Sequence, residues 1–334
     1  MQTPRLFSWT ALVVVCACLL PVSQAADRIP VVLATDLGDD IDDTWALAHV
    51  LRSPELDLKM VLTEYGRSRY RAALAAKLLE VAGRTDVAVA VGPMPAAGAA
   101  EDPATFNQAL WLRDYDLAKY PGRVHEDGVG AFIELVLNSP SPVTVIAVGP
   151  APSLAAAVTR EPRVAERCRL VGMFGSIDVG YGGDAKPAAE WNVRADVTSV
   201  RAVFAASWRE ILLTPLDTCG TVDLRDDNYR AVWSATRDPL ARAVIENYCL
   251  WAPRVPWMKC DFFATRSTTL FDCVAVYLAY DEALVGIDEV RFKITDDGFT
   301  VRDDAGPFRA RAALRWKDRA AFEHHLTARL VPGH

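Results

Sequence analysis

The 334-residue chain has no excess of positive charge: 36 Lys and Arg stand against 43 Asp and Glu, a net charge of −7. A protein that tracks nucleic-acid phosphates normally presents a basic face, so this balance argues against a nucleic-acid partner. Beyond the N-terminus no apolar run reaches 18 residues, which leaves no candidate for a membrane-spanning helix, and an integral membrane protein is not expected. There is no P-loop, and no Gly-x-Gly-x-x-Gly follows the first apolar run, so neither common cradle for nucleotide phosphates is present. The cysteine spacings do not match a zinc site. No linker, low-complexity tract or repeat divides the chain, and one domain is expected.

The N-terminus has the form of an export signal. Arg5 is the only charge in the first 26 residues, an apolar stretch runs from Trp9 to Leu20, and Ser23-Gln24-Ala25 places small residues where signal peptidase needs them. Residues 1–25 are therefore expected to be removed, leaving a mature domain of residues 26–334 that is periplasmic or secreted. Val15-Cys16-Ala17-Cys18 has some likeness to a lipobox, and anchoring through lipid on Cys18 is the alternative. Cleavage leaves Cys168, Cys219, Cys249, Cys260 and Cys273, an odd number, so at least one thiol stays unpaired. Cys249 and Cys260 flank a Trp/Pro loop and are the candidates to staple it.

What is present is alternation. Short apolar, β-branched runs occur at 29–35, 57–63, 87–91, 142–148, 168–174 and 209–213, and helical patterns lie between them at 69–83, 128–139 and 153–160. Strand and helix in turn predict an α/β fold with a largely parallel sheet flanked by helices. Residues 290–303 read as a β-hairpin and 317–330 as a closing helix. In such sheets ligands bind beyond the carboxyl ends of the strands.

At one such end the sequence reads "ATDLGDDIDDTWAL" (34–47), with Asp36, Asp39, Asp40, Asp42 and Asp43 inside eight positions. Helix capping by Asp40 or Asp42 explains one or two of these. It does not explain five, because adjacent carboxylates repel and raise one another's pKa. A bound cation relieves that repulsion, and oxygen-only ligands favour Ca²⁺ or Mg²⁺. An EF-hand is excluded by Gly38 and Ile41 at its third and sixth positions, and an aspartyl-phosphate phosphatase by Gly38 in place of its second Asp.

The stretch resembles the metal-binding signature of the inosine–uridine-preferring nucleoside hydrolases, Asp-x-Asp-Pro-Gly-x-Asp-Asp, in a branch with two more residues before the last pair. Four further segments follow in the family's order: "VIAVGPAPSLA" (145–155), "MFGSIDVGYGGDAKPAAEWNVRAD" (173–196), "TPLD" (214–217) and "TLFDCVAV" (269–276). The resemblance implies the nucleoside hydrolase fold, with its active site at the C-terminal ends of the strands. It also implies hydrolysis of an N-ribosidic bond with one tightly held Ca²⁺ per subunit. Asp36 would bind the metal and take the proton from water. Asp43 would be a bidentate metal ligand, Asp272 a ligand that also contacts ribose, and Pro152 the donor of a backbone carbonyl. Asp42 would accept a ribose hydroxyl, Glu190 and Asn192 would surround the 5′-hydroxyl, and Asp184 stands where many members carry Asn. The partner would be a small riboside, and a homodimer or homotetramer is expected.

This chain departs from the family pattern at Ala34, Arg67, Ser153 and Phe271, which replace Asp, Asn, Asn and His. The His at the last position is the leaving-base acid, and Phe cannot donate a proton. His125 is a candidate for the mouth of the site, and Trp111, Trp251, Trp257, Phe262 and Phe263 are candidates to stack a base. Asp39 and Asp40 have no assigned role beyond a cap or outer support of the ligands. Hydrolysis of a ribonucleoside is the leading expectation. Hydrolysis of another riboside, or metal and ribose binding without turnover, are the alternatives.

Overall fold

The strand Ile29–Thr35 (β1) reads IPVVLAT, and its side chains alternate between two apolar clusters. Val31 and Leu33 enter one, Val32 and Ala34 the other, and all four are fully buried. A strand buried on both faces belongs at the centre of a sheet covered on both sides. This computed structural model describes residues 28–93, 106–255, 262–331 and 333. The expected leader, Trp257, Cys260 and the Phe262 side chain lie outside the described residues.

β1 pairs in parallel with Leu56–Thr63 (β2) on one side and Val143–Ala147 (β5) on the other. Ala88–Ala90 (β3) and Val124–His125 (β4) extend the sheet beyond β2. Cys168–Gly172 (β6) and Glu210–Leu213 (β7) extend it beyond β5. Val285–Ile294 (β8), Thr300–Arg302 (β9) and Phe308–Trp316 (β10) complete it. The order is β4-β3-β2-β1-β5-β6-β7-β10-β8-β9. The strands from β4 to β10 are parallel, whereas β8 runs antiparallel to both β10 and β9. The protein is a single α/β domain with helices on both faces of this mostly parallel sheet.

The predicted hairpin is β8 and β9, and the predicted closing helix is Arg319–Leu330. β10 was not predicted. Its sequence, FRARAALRW, alternates as a strand should, but small alanines carry the apolar face: Phe308, Ala310 and Ala312 are buried.

Successive strands move outward from β1 in one direction to β4 and in the other from β5. A crevice therefore opens beyond the ends of β1 and β5, where the winding reverses. Asp42–Arg52 (α1) follows β1 and packs against the helix Phe271–Leu278. Ser68–Val81 (α2) follows β2. No helix among the described residues is long and apolar enough to cross a membrane. Among the described residues Cys168, Cys219, Cys249 and Cys273 form no disulfide with one another, and the pairing expected for Cys249 falls on Cys260, outside the described residues.

Candidate active site

The acidic loop spans the short gap from β1 to α1. The Thr35 hydroxyl donates to the Asp43 carboxylate and accepts the Leu37 N–H at 3.1 Å, which ties the end of the strand to the start of the helix. Gly38 turns the chain at φ +110°, and a Cβ there would lie 2.7 Å from the Tyr70 ring, so only glycine fits. Neither Asp40 nor Asp42 caps α1. Ile41 occupies the N-cap without a side-chain bond, and the Asp40 carboxylate accepts the Ile41 N–H at 2.7 Å. Asp42 and Asp43 are the first two residues of the helix.

Asp272 arrives from the other side, in the first turn of Phe271–Leu278. Its N–H donates to the Asp42 carboxylate at 3.3 Å. Two helix N-termini thus converge, and their dipoles favour the negative charge placed there. Oxygens of Asp42, Asp43 and Asp272 all lie within 4.8 Å of one another, and the three residues are buried. A hard cation bonding to oxygen at about 2.3–2.6 Å can bridge such a set, so these residues fit a metal ion.

Without a counter-ion the cluster resists ionisation. Burial, and then the neighbouring carboxylates, push Asp42, Asp43 and Asp272 well above the usual carboxylate range. Asp36 is pushed up to about 7 by burial, against the pull of Arg71, and Asp40 up to about 6, again mainly by burial. Asp36 packs against the turn after β5: a Cβ on Gly149 would lie 2.6 Å from its carboxylate.

One cavity of about 90 Å³ is lined by all five aspartates of the loop together with Asp272, Glu190 and Asn192. Glu190 caps the short helix Trp191–Ala195. It accepts the N–H groups of Asn192, Val193 and Gly175 at 2.7, 3.2 and 3.0 Å, and burial pushes it up to about 7. The Asn192 amide donates to the Met173 carbonyl at 3.0 Å. The remaining wall is apolar, with Val148 and Met173 beside three aromatic rings. Tyr181, Trp191 and Phe271 line it, with the Tyr181 and Phe271 rings edge-to-face at 6.0 Å. The Tyr181 hydroxyl accepts the Trp191 N–H at 2.8 Å.

Not every expected residue reaches this cavity. Asp184 is exposed, and its carboxylate closes a local turn by accepting the Lys186 N–H at 3.0 Å. His125 sits on β4, three strands from β1, roughly 14 Å at the usual strand spacing. There it lines a separate surface depression with Asp127 and Arg160. Pro152 opens the helix Pro152–Arg160 and does not line the cavity. Trp111 lines a different groove, Trp251 is buried, and Phe263 packs beside Tyr248.

The sequence reading also missed residues that hold the site. The Glu64 carboxylate, buried at the end of β2 and pushed up to about 8 by burial, accepts the N–H groups of Ser153 and Leu154 at 2.7 and 3.2 Å. It thereby caps the helix that Pro152 opens. Asp217 accepts the N–H groups of Ile177 and Asp178, both at 2.8 Å, and so fixes the loop leading toward Tyr181. Arg71 reaches the acidic loop from α2. A charge just past the end of a predicted strand was the available signal for Glu64, and a basic residue within a predicted helix that for Arg71.

Comparison with known proteins agrees with this fold. The non-specific ribonucleoside hydrolase RihC of Escherichia coli is 31% identical over 207 residues, which span 60% of this chain and 65% of that protein. The match thus covers just under two thirds of the curated relative's length. Among solved structures, a plant nucleoside hydrolase superposes with a TM-score of 0.75 at 21% identity, over 91% of this chain and 99% of that one. The inosine-uridine preferring nucleoside hydrolase of Bacillus anthracis gives 0.71 at 18% identity, over 91% and 99%. At these identities the structures establish the fold. The sequence profile of the inosine-uridine preferring nucleoside hydrolases matches residues 31–324, a span that holds the acidic loop, Glu190, Asn192 and Asp272, and the chain belongs to that family.

Proposed function

We propose that this protein is a Ca²⁺-dependent hydrolase that cleaves the N-glycosidic bond of a ribonucleoside, releasing base and ribose outside the cytoplasm. The observation that carries this reading is the meeting of Asp36, Asp42, Asp43 and Asp272 with Glu190 and Asn192 in one cavity at the switch point of the sheet. Asp43 and Asp272 belong both to the ligand set implied by the family resemblance and to the observed triad. Asp42 completes the triad. When bound, Ca²⁺ would lower the pKa of water and orient it toward the sugar.

The protein's own groups supply the rest. Asp36, a buried carboxylate that lines the cavity beside the triad, suits the acceptor of a proton from water. Cleavage develops positive charge on the sugar ring, and the surrounding carboxylates stabilise it. The Glu190 oxygens accept backbone N–H groups but keep lone pairs for a sugar hydroxyl. Tyr181, Trp191 and Phe271 offer a stacking surface for the leaving group. Among the described residues no His lines the cavity.

That last feature favours a second reading, in which the substrate is a riboside whose aglycone leaves without protonation. A panel of nucleosides and other ribosides, assayed for free ribose on the Ca²⁺-loaded mature protein, tests both. Release from inosine or uridine supports the first reading. Release only from activated ribosides supports the second. Ribose binding without release from any of them would reduce the protein to a binding module.

A further inference from the structure

The acidic loop carries an internal cation. Arg71 is 1% exposed, and its guanidinium is spent almost wholly on the loop. Nη1 donates to the Asp36 carbonyl, and to that of Leu37 at 3.2 Å. Nη2 donates to the Asp39 carboxylate at 2.7 Å, and Nε to the Tyr65 carbonyl at 2.8 Å. Asp39 is gripped from several sides. Arg67 reaches its carboxylate at 3.4 Å while lying over the Phe106 ring at 4.6 Å. The Trp251 indole and the Asn107 amide donate to its carbonyl at 2.8 and 3.3 Å. The one residue thus joins the loop to α2, to the segment 106–108 and to the end of the helix Pro239–Trp251.

We propose that Asp39 is an anchor and not a cation ligand, and that Arg71 is the positioning residue that holds the Asp36–Asp39 backbone in its cation-ready shape. This rests on the reading of the site as a Ca²⁺ centre. Asp39 is one of three residues, 39–41, that stand where the common family motif has one, and Arg67 replaces an Asn of that family. The longer loop and its basic partners form one unit. Planar guanidinium geometry suits the task, since a single group bonds carbonyls and a carboxylate on different sides.

Positioning and simple charge predict opposite signs. Removing a positive charge beside a cation site strengthens cation binding if only Coulomb forces matter. Removing a positioning group weakens it, by about 10- to 100-fold for outer supports of a metal site. The test is calorimetric titration of the mature protein with CaCl₂, for wild type, Arg71→Met, Arg71→Lys, Asp39→Ala and the Asp39→Ala/Arg71→Met double variant. The proposal expects Arg71→Met to bind Ca²⁺ about 10-fold or more weakly, with Arg71→Lys in between. Asp39→Ala should lose about 10-fold, far less than a ligand would. The double variant should lose little beyond Arg71→Met, because the two act as one pair. Tighter or unchanged binding in Arg71→Met, or additive losses in the double variant, would overturn it. If Arg71→Met does not fold, Arg71→Lys decides: weakened binding supports the proposal, and wild-type affinity sinks it. Absence of Ca²⁺ binding by wild type would instead overturn the reading of the site.

Discussion

The two ends of the cavity are built by different means. At the acid end, Asp36, Asp42, Asp43, Asp272, Glu190 and Asn192 are buried, and they stand at the close of a central strand or in the first turns of helices. At the aromatic end, Tyr181 and Trp191 are each 44% exposed, and Tyr181 rides on a short turn, Tyr181–Gly183, outside the main elements. The first arrangement fixes oxygens in space before any ligand arrives, as a cation and a sugar require. The second offers a flat, accessible surface of the kind that sets selectivity and tolerates change. On the function proposed above, the chemistry of bond cleavage belongs to the first end and the choice of leaving group to the second.

If that division holds, the largest effects come from the acid end. Asp43→Ala should abolish Ca²⁺ binding and hydrolysis together, since too few oxygens remain for the ion. Calorimetry and ribose release on one preparation check this, and full Ca²⁺ occupancy in the variant would misplace the site.

A smaller effect sharpens the contrast at the aromatic end. Protonation of a leaving base is typically worth about 10²–10⁴-fold. With Phe271 at the position of the family's acid, p-nitrophenyl riboside should be cleaved faster than inosine by a factor in that range. Comparable kcat/KM for the two substrates would mean that leaving-group activation is present at this end after all.

Stability against pH separates the ends in another way. Asp36 and Asp40 titrate near 7 and 6 in the folded, cation-free protein and near 3.8 when unfolded. Between about pH 4 and 7 the unfolded chain therefore binds fewer protons than the folded one, and stability falls as pH rises. The loss continues above pH 7, because Glu64 is pushed up to about 8 and Asp42, Asp43 and Asp272 are also raised. Chelated protein should thus melt at a lower temperature at pH 8 than at pH 5, and added Ca²⁺ should raise Tm more at pH 8. A Ca²⁺ effect on Tm that does not change with pH would contradict the raised carboxylates.

The smallest effect is expected from Trp191→Ala. Loss of an aromatic contact worth about 0.5–1.5 kcal/mol should raise KM for nucleosides by roughly 2- to 10-fold, with Ca²⁺ affinity unchanged. Weakened Ca²⁺ binding in this variant would show that the two ends are not independent.

The same contrast governs what could be read from the sequence. β1 and the acidic run are contiguous, so strand, turn and helix start appear in a single stretch, although the N-cap position expected of Asp40 or Asp42 falls to Ile41. Asp272, Glu190 and Asn192 were found through the resemblance of short motifs, and the structure brings them to the same cavity. Asp184 shows where such matching ends, and His125, which no motif carries, shows the limit of reading a lone side chain. A motif gives a position along the chain, but the direction of a Gly-rich turn or the distance of an outer strand is set by tertiary packing. Arg71 and Glu64 were missed for a related reason. Glu64 stands just past a predicted strand and Arg71 within a predicted helix, and their partners lie some 30 to 90 residues away in sequence. β10 was passed over because alanines, not branched residues, form its buried face.

The central claim is that the buried carboxylates hold a Ca²⁺ ion required for hydrolysis of a riboside. The most direct test is ribose release by the mature protein from inosine, uridine and p-nitrophenyl riboside, measured with Ca²⁺, after chelation and after Ca²⁺ is restored. Release from at least one substrate should fall more than about 100-fold on chelation, as loss of a cation that activates water demands, and should recover on restoration. Unchanged release after chelation, or no release from any of the three with Ca²⁺ bound, would contradict the account.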